Sequence, residues 1–413
     1  GYSLGVGISD INLDGWPDIY ISNDFVGNDV LYVNQGDGTF EDQAAQYFQH
    51  TSYAGMGNDI ADFNNDGLMD VMVLDMRPED NRRQKLIISS TSYDLFELML
   101  ESGYMPQYSR NTLQLNRGDG LFSEIGFLAG VSSTDWSWSA LFADYDNDGD
   151  KDLFVTNGFL RDLGNLDYIH YQNIYDNPMG EPETKVKNKL ATIKALEGAD
   201  IGDYLFENTG QLRFEKRSKS WGIKDQGYSN GAVYADLDND GDLELVVNNI
   251  NQHAHVYENL SNTKSEHNYL RLLLKGPPKN RQGLGARIYL YQTNRTQVWE
   301  HFLSRGYESS VDPNPHFGLG TLPIDSLIVH WPDGKVQTIR NVSPNQLLEI
   351  SYQQATSDGA KYGDDTPSTF FQFPVSQPIS YVHKENKQVD FKTQPILPHM
   401  HAQLGPGAAV ADI

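Results

Sequence analysis

Apolar residues in this chain come in short bursts separated by polar, Gly-rich turns. The stretches DIYIS, DVMVL, DLFVT and ELVVN, starting at Asp18, Asp70, Asp152 and Glu244, are apolar or β-branched and give way at once to Asn or Asp. Runs of this length and composition predict buried strands. Each is preceded by a small-residue approach, GVGISD, GNDIAD, SALFAD or GAVYAD, which reads as a partner strand. A second element recurs downstream as LYVNQGDGTFED, LQLNRGDGLFSE and LFENTGQLRFEK, each a strand, a Gly-centred turn and a further strand beginning at Phe40, Phe122 or Phe214. Four short strands per unit, repeated along the chain, predict an all-β fold of propeller blades.

The connections between approach strand and buried strand share one register. They read DINLDGWPD (Asp10–Asp18), DFNNDGLMD (Asp62–Asp70), DYDNDGDKD (Asp144–Asp152) and DLDNDGDLE (Asp236–Glu244), with oxygen side chains at positions one, three, five and nine and Gly at six. Calcium takes six to eight oxygens at about 2.3–2.6 Å, and alternate residues of a tight loop supply them while Gly permits the turn. The expected calcium ligands are therefore Asp10, Asn12, Asp14 and Asp18; Asp62, Asn64, Asp66 and Asp70; Asp144, Asp146, Asp148 and Asp152; and Asp236, Asp238, Asp240 and Glu244. Position seven is expected to offer a backbone carbonyl, from Trp16, Leu68, Asp150 and Asp242. An EF-hand would carry a bidentate Glu at position twelve and an exiting helix; here that position is Ile21, Val73, Val155 or Val247, inside a strand. A lone Asp-rich loop is ordinarily a solvated turn, but four copies in one register are not explained that way.

The loops begin 52, 82 and 92 residues apart, whereas a blade needs about 45–50, so two blades carry insertions. One lies near 77–110, where LIISSTSYDLFELMLE reads as partly helical. The other spans roughly 161–203, where Val186, Leu190, Ile193 and Leu196 fall at helical spacing.

Composition narrows the function. The 413 residues carry 31 Lys plus Arg against 56 Asp plus Glu, a net charge of −25, so nucleic acid and anionic lipid are poor partners. Fourteen of the carboxylates sit at the four loops' ligand positions, and four calcium ions would bring the charge to −17. There is no cysteine, which excludes disulfides, thiolate metal sites and thiol catalysis from this segment. No apolar run reaches the eighteen or so residues of a membrane span. Nucleophile-elbow, phosphate-loop and dinucleotide fingerprints are missing from the sequence.

The Asp loops with their flanking strands resemble FG-GAP (VCBS) repeats, whose blades are similar to those of integrin α-subunit propellers. Residues 268–352 resemble the ASPIC/UnbV domain through GLGARIYLY from Gly283, RGYESS from Arg305, HFGLG from His316 and WPDGKVQ from Trp331. Longer phrases such as STDWSWSALFADYDNDGDKDLFVTNGFLRD look like multi-repeat secreted or outer-membrane proteins of Bacteroidota. The resemblance implies a calcium-binding propeller over 1–265, a small β-domain, and export to the cell exterior or outer-membrane surface. It implies no chemical activity for the second domain. Leu270–Leu274, Ala286–Leu290, Val298–Leu303 and Ser326–His330 read as strands of that domain, and Pro332, Asp333 and Gly334 as a hairpin turn. His316 reads as a packed structural residue.

Residues 353–401 read as a linker and approach segment, and GPGAAVADI as the start of a further blade whose loop would begin at Asp412. The tripeptide Arg117-Gly118-Asp119 occupies the same turn as Gln35-Gly36-Asp37, so the hairpin accounts for it. The pairs His253/His255 and His399/His401 lack further ligands for zinc. The function expected is a calcium-binding extracellular or cell-surface scaffold that binds a surface protein or polysaccharide, within an outer-membrane complex or alone, without catalysis of its own. The alternative is a polysaccharide-active hydrolase or lyase on the same scaffold.

Overall fold

The computed structural model describes residues 2–87, 92–175, 182–199, 201–224, 226–356 and 389. The chain divides into two compact units, 1–364 and 365–413. The first contains everything described below; the linker, the approach segment, His399, His401 and Asp412 lie outside the described residues.

Four antiparallel sheets follow one another as propeller blades. Blade I runs Tyr2–Ser9, Asp18–Asp24, Val30–Asn34, Phe40–Asp42; blade II Asn58–Ala61, Asp70–Val73, Thr112–Asn116, Phe122–Glu124; blade III Ser137–Ala143, Asp152–Asn157, Tyr204–Asn208, Phe214–Lys216. Blade IV has three strands, Ser229–Ala235, Glu244–Asn249 and His255–Tyr257. Four strands per unit therefore holds for three blades. In the fourth, LSNTK replaces the Gly-centred turn, and a short helix, Ser261–Lys264, stands where the outer strand would begin. The first strands of successive blades lie side by side.

Blades stack through their second loop residue. Ile11, Phe63 and Tyr145 are 3%, 0% and 4% exposed; Phe63 packs on Phe142 and Phe214 of blade III, and Tyr145 on Tyr234 of blade IV. Leu237, at the same position in blade IV, is 54% exposed.

The first insertion forms helices Asn81–Leu86 and Tyr93–Glu101, and the second forms Leu166–Tyr175 and Pro182–Ala195. The helical spacing around Val186 is realised, but the apolar stripe is not buried. Val186 and Leu190 are 59% and 51% exposed, and Leu196 lies past the helix end.

The second β-domain is a two-sheet sandwich. One sheet orders His316–Gly320, Asn268–Lys275, Leu347–Ser351; the other orders Arg295–Glu300, Arg287–Gln292, Ser326–His330, Val336–Arg340. Alternate residues point inward, so Leu270, Leu272, Ile288, Leu290, Leu327 and Val329 are fully buried between the sheets. Pro332-Asp333-Gly334 makes the expected turn, with Gly334 at φ 85°.

A hairpin of this domain, Ser304–Arg305 with Ser309–Ser310, reaches into the propeller and touches the first strands of blades I, II and IV. Gly306 N–H donates to Asn58 O, Tyr307 N–H to Ser139 Oγ and Asp312 N–H to Tyr234 O. Arg305, buried, donates to Asp59 Oδ1 at 2.6 Å and to Ile60 O, while Asp59 Oδ2 accepts from Phe142 N–H. Propeller and second domain share one hydrophobic core through Leu141, Leu245, Leu270 and Phe317.

Candidate cation loops

The loops build a common cage from main-chain amides, complete in loops I–III and partial in loop IV, where, of the position-five and position-six N–H groups, position one accepts only that of Gly241 at position six. In loops I–III the position-one carboxylate (Asp10, Asp62, Asp144) accepts the N–H groups of positions five and six at 2.7–3.1 Å. The position-five carboxylate accepts the N–H of position seven, as in Asp14 from Trp16, Asp66 from Leu68, Asp148 from Asp150 and Asp240 from Asp242. The position-nine carboxylate accepts the N–H of position two in all four loops, from Ile11, Phe63, Tyr145 and Leu237. Two left-handed residues make the turn. Position six is Gly at φ 90–99°, and position four is Asn65, Asn147 and Asn239 at 59–65° but Leu13 at 60° in loop I, where a branched side chain takes a conformation that Asn adopts more readily.

The oxygens so oriented converge. Asp144, Asp146 and Asp152 bring a carboxylate oxygen each to within 4.8 Å of one another, as do Asp236, Asp238 and Glu244. In loops I and II position three is an amide, Asn12 or Asn64, which supplies an oxygen without charge. Burial makes this crowding expensive. It pushes Asp10 up to about 7, aided by Glu300, and Asp18, Asp62 and Asp148 up to about 6, with Asp70, Asp144 and Asp152 well above the usual carboxylate range. In loop IV, Asp236 Oδ1, Asp242 Oδ1 and Glu244 Oε1 are buried without a hydrogen-bond partner. Carboxylate and amide oxygens converging in this way, some of them buried and unpartnered, fit a hard divalent cation.

Position seven of loop IV brings a second group. The carboxylate of Asp242 is buried and clusters with Asp240 and Glu244, so this residue offers a side chain as well as a carbonyl. Asp150, by contrast, turns its carboxylate away to accept from Asn65 Nδ2 of loop II at 2.7 Å.

A further set of residues escaped the sequence reading. Asn34, Asn116 and Asn208, which end the third strand of blades I–III, donate their N–H to the position-nine carboxylates of Asp18, Asp70 and Asp152 at 2.8–2.9 Å. The side-chain amides of Asn116, Asn208 and Asn259 also reach back to the position-two carbonyl of the preceding loop, on Ile11, Phe63 and Tyr145. The signal was present as the N of LYVN, LQLN, LFEN and VYEN. It lay at or just past a strand end, with partners 16 to 145 positions away.

Other candidates resolve into structure. The turn at Arg117-Gly118-Asp119 places Gly118 at φ 73°, as Gly36 is at 71°, and Arg117 pairs with Asp119 at 3.2 Å. His255 Nδ1 meets Tyr257 Oη at 3.2 Å. His316 is buried, and its Nε2 lies 2.7 Å from Asn147 Oδ1 of loop III.

The FG-GAP-like repeat family model matches residues 10–73 and 99–155, covering loops I–III, and the ASPIC and UnbV model matches 276–357. The chain carries FG-GAP-like repeats followed by an ASPIC/UnbV domain. Relatives similar to this FG-GAP and ASPIC/UnbV chain include cartilage acidic protein 1 of Mus musculus, 26% identical over 367 residues and 85% of this chain, and of Homo sapiens, 26% identical over 366 residues and 84%. The chain spans 45% and 44% of the length of those relatives. Among solved structures, an Agrocybe aegerita lectin recognising non-reducing terminal N-acetylglucosamine aligns over 82% of this chain and 81% of its own at 14% identity and a TM-score of 0.29. The Photorhabdus luminescens Tc holotoxin pore aligns over 82% of this chain and 11% of its own at 14% identity and 0.26. No helix among the described residues is long and apolar enough to cross a membrane.

Proposed function

We propose that the four loops bind calcium and that the chain is an extracellular or cell-surface scaffold that binds a protein or glycan partner without catalysis of its own. The observation that carries the calcium reading is the amide cage, complete in three loops and partial in the fourth, which orients acid and amide oxygens inward in one register. A divalent ion would stabilise the negative charge that burial disfavours on the carboxylates. The binding reading is supported by a cavity of about 360 Å³ between blades III and IV. Leu205, Ile223, Leu243, Leu245, Trp221 and Tyr257 line it together with polar side chains that include Asp146 of loop III, Glu207 and His267, and concave sites that combine apolar and polar groups are where ligands bind.

Calorimetry with the chelator-treated chain is expected to show calcium binding in the range of extracellular modules, about 10⁻⁴–10⁻³ M. At 1 mM calcium and a dissociation constant near 0.1 mM, each site would stabilise the fold by about 1.4 kcal/mol, so excess chelator lowers the melting temperature. An unchanged melting curve together with no bound metal by elemental analysis sinks the calcium reading. Retention of a glycan or envelope protein without product release supports the scaffold. Calcium-dependent depolymerisation of a glycan, abolished by substituting an acid outside the four loops, would establish the hydrolase or lyase instead.

A further inference from the structure

The ASPIC/UnbV domain touches every one of the four loops with a charged or polar side chain, and at each loop it grips the framework that holds the oxygens in place. Arg287 Nη2 donates to Gly67 O of loop II at 2.7 Å, and Nη1 pairs with Glu300, which accepts from Ser9 Oγ and Asp10 N–H at the mouth of loop I. At loop III, Arg295 Nη1 donates to Asp148 O at 2.6 Å, His316 meets Asn147 Oδ1, and Gly320 N–H donates to Asn147 O at 2.8 Å. At loop IV, Arg271 Nη1 donates to Asp236 Oδ2 at 2.5 Å while Nη2 pairs with Asp312, leaving Asp236 Oδ1 without a hydrogen-bond partner. The approach at loop III is close enough to require glycine. A Cβ on Gly318 would lie 1.9 Å from Asp144 Oδ2, and one on Gly149 would lie 2.0 Å from the Arg295 guanidinium. The HFGLG segment is thus fitted to the outside of a cation loop.

We propose that Arg271, Arg287, Arg295 and His316 are positioning residues for the cation loops, and that cation loading of each loop is coupled to the contacts the ASPIC/UnbV domain makes at that loop. The proposal rests on the calcium reading above. Its physical basis is that positions four to six carry the left-handed turns that aim the carboxylates, and these are the atoms Arg287, Arg295 and His316 hold; Arg271 holds a ligand carboxylate directly. Groups that orient ligands in this way typically change metal affinity 10–100-fold when removed. Coupling is reciprocal, so whatever the domain contributes to calcium affinity, calcium returns to docking.

The test is hydrogen exchange on the whole chain during a calcium titration, read from peptides covering loop III (144–152), loop I (10–18) and the HFGLG strand (316–320). Arg295→Ala is expected to raise the calcium midpoint at loop III at least tenfold while loop I keeps its midpoint, and Arg295→Lys, which retains a donor, to recover most of the loss. A general loss of stability would move both loops together. Chelation of the wild type should deprotect the Gly320 amide, a readout that depends on no variant; if Arg295→Ala does not fold, His316→Gln is read in the same way. Loop III midpoints within about twofold of the wild type in both variants, with Gly320 protection indifferent to chelator, overturn the proposal while leaving calcium binding intact. A wild type in which all loop peptides ignore calcium overturns the calcium reading and this proposal together.

Discussion

At the scale of the residue, the register of each loop decides which oxygens are held in its cage. Asp148 is fixed in the cage of loop III by the N–H of Asp150, whereas the carboxylate of Asp150 is engaged with Asn65 of the neighbouring loop. Asp148→Ala is therefore expected to lower calcium affinity at loop III by at least tenfold. Asp150→Ala should keep it within about threefold and lose only a cross-blade hydrogen bond of about 1 kcal/mol. Calorimetry on the two variants checks this, and equal affinities would refute the register. A buried histidine gives the acid limb of stability. His301, 1% exposed, is held neutral by burial, its pKa lowered from 6.5 to about 4. The unfolded chain binds that proton more readily, so the contribution is full above about pH 6.5 and is lost as the pH falls toward 4, about 3 kcal/mol across that window. Denaturant unfolding of His301→Gln beside the wild type should show the wild type losing more stability between pH 6.5 and 4. Parallel pH profiles would contradict it. Asp29 and Asp203, each raised to about 7 by burial, contribute in the opposite sense in both proteins and cancel in the comparison.

At the scale of the element, the strand-ending asparagines connect one blade's third strand, its own loop and the loop before it. Asn208 accepts from Gly210 N–H, donates its main-chain N–H to Asp152, and gives its side-chain amide to Phe63 O and Lys151 O at 2.8 and 3.1 Å. Asn208→Ala leaves two buried carbonyls without that donor and is expected to cost about 2–3 kcal/mol in equilibrium unfolding. The main-chain N–H that reaches Asp152 survives the substitution, so calcium affinity at loop III should change much less than stability. Asn208→Ser, with a shorter reach, should behave like Ala; recovery to wild-type stability would show that the cross-blade bond is dispensable. The sequence made strands and loops legible because each is encoded within a few residues. The asparagines were not, because their partners lie 16 to 145 positions away.

At the scale of the whole molecule, the second domain anchors itself in the propeller through the hairpin at Arg305. The Arg305–Asp59 pair is buried on both sides, 8% and 2% exposed. Removing one partner of such a pair strands a charge in the interior, so Arg305→Ala is expected to lower unfolding free energy by about 3–5 kcal/mol. Replacing both residues with apolar ones of similar volume should restore much of that. A single substitution no more costly than the double would show that Asp59 is not held by this contact.

What the sequence determined by itself was whatever repeats at short range: four loops with oxygens at alternate positions, the β-branched strand after each, the Gly-centred turns, and the alternating strands of the second domain. These follow from local sterics and from the two-residue period of a strand, which any one copy displays. Tertiary structure decided the rest. Blade IV stops at three strands, since its third strand runs into a short helix instead of a Gly-centred turn. Asp242 turns a carboxylate toward Glu244, and Asp150 turns its own away to Asn65. The arginines at 271, 287, 295 and 305 carry nothing in the sequence that names a partner, yet each is placed against a propeller carbonyl or carboxylate by the packing of two sheets on four blades. Such pairings join residues up to 246 positions apart, and no local pattern encodes a contact whose partner is chosen by how separately formed layers come to rest on one another.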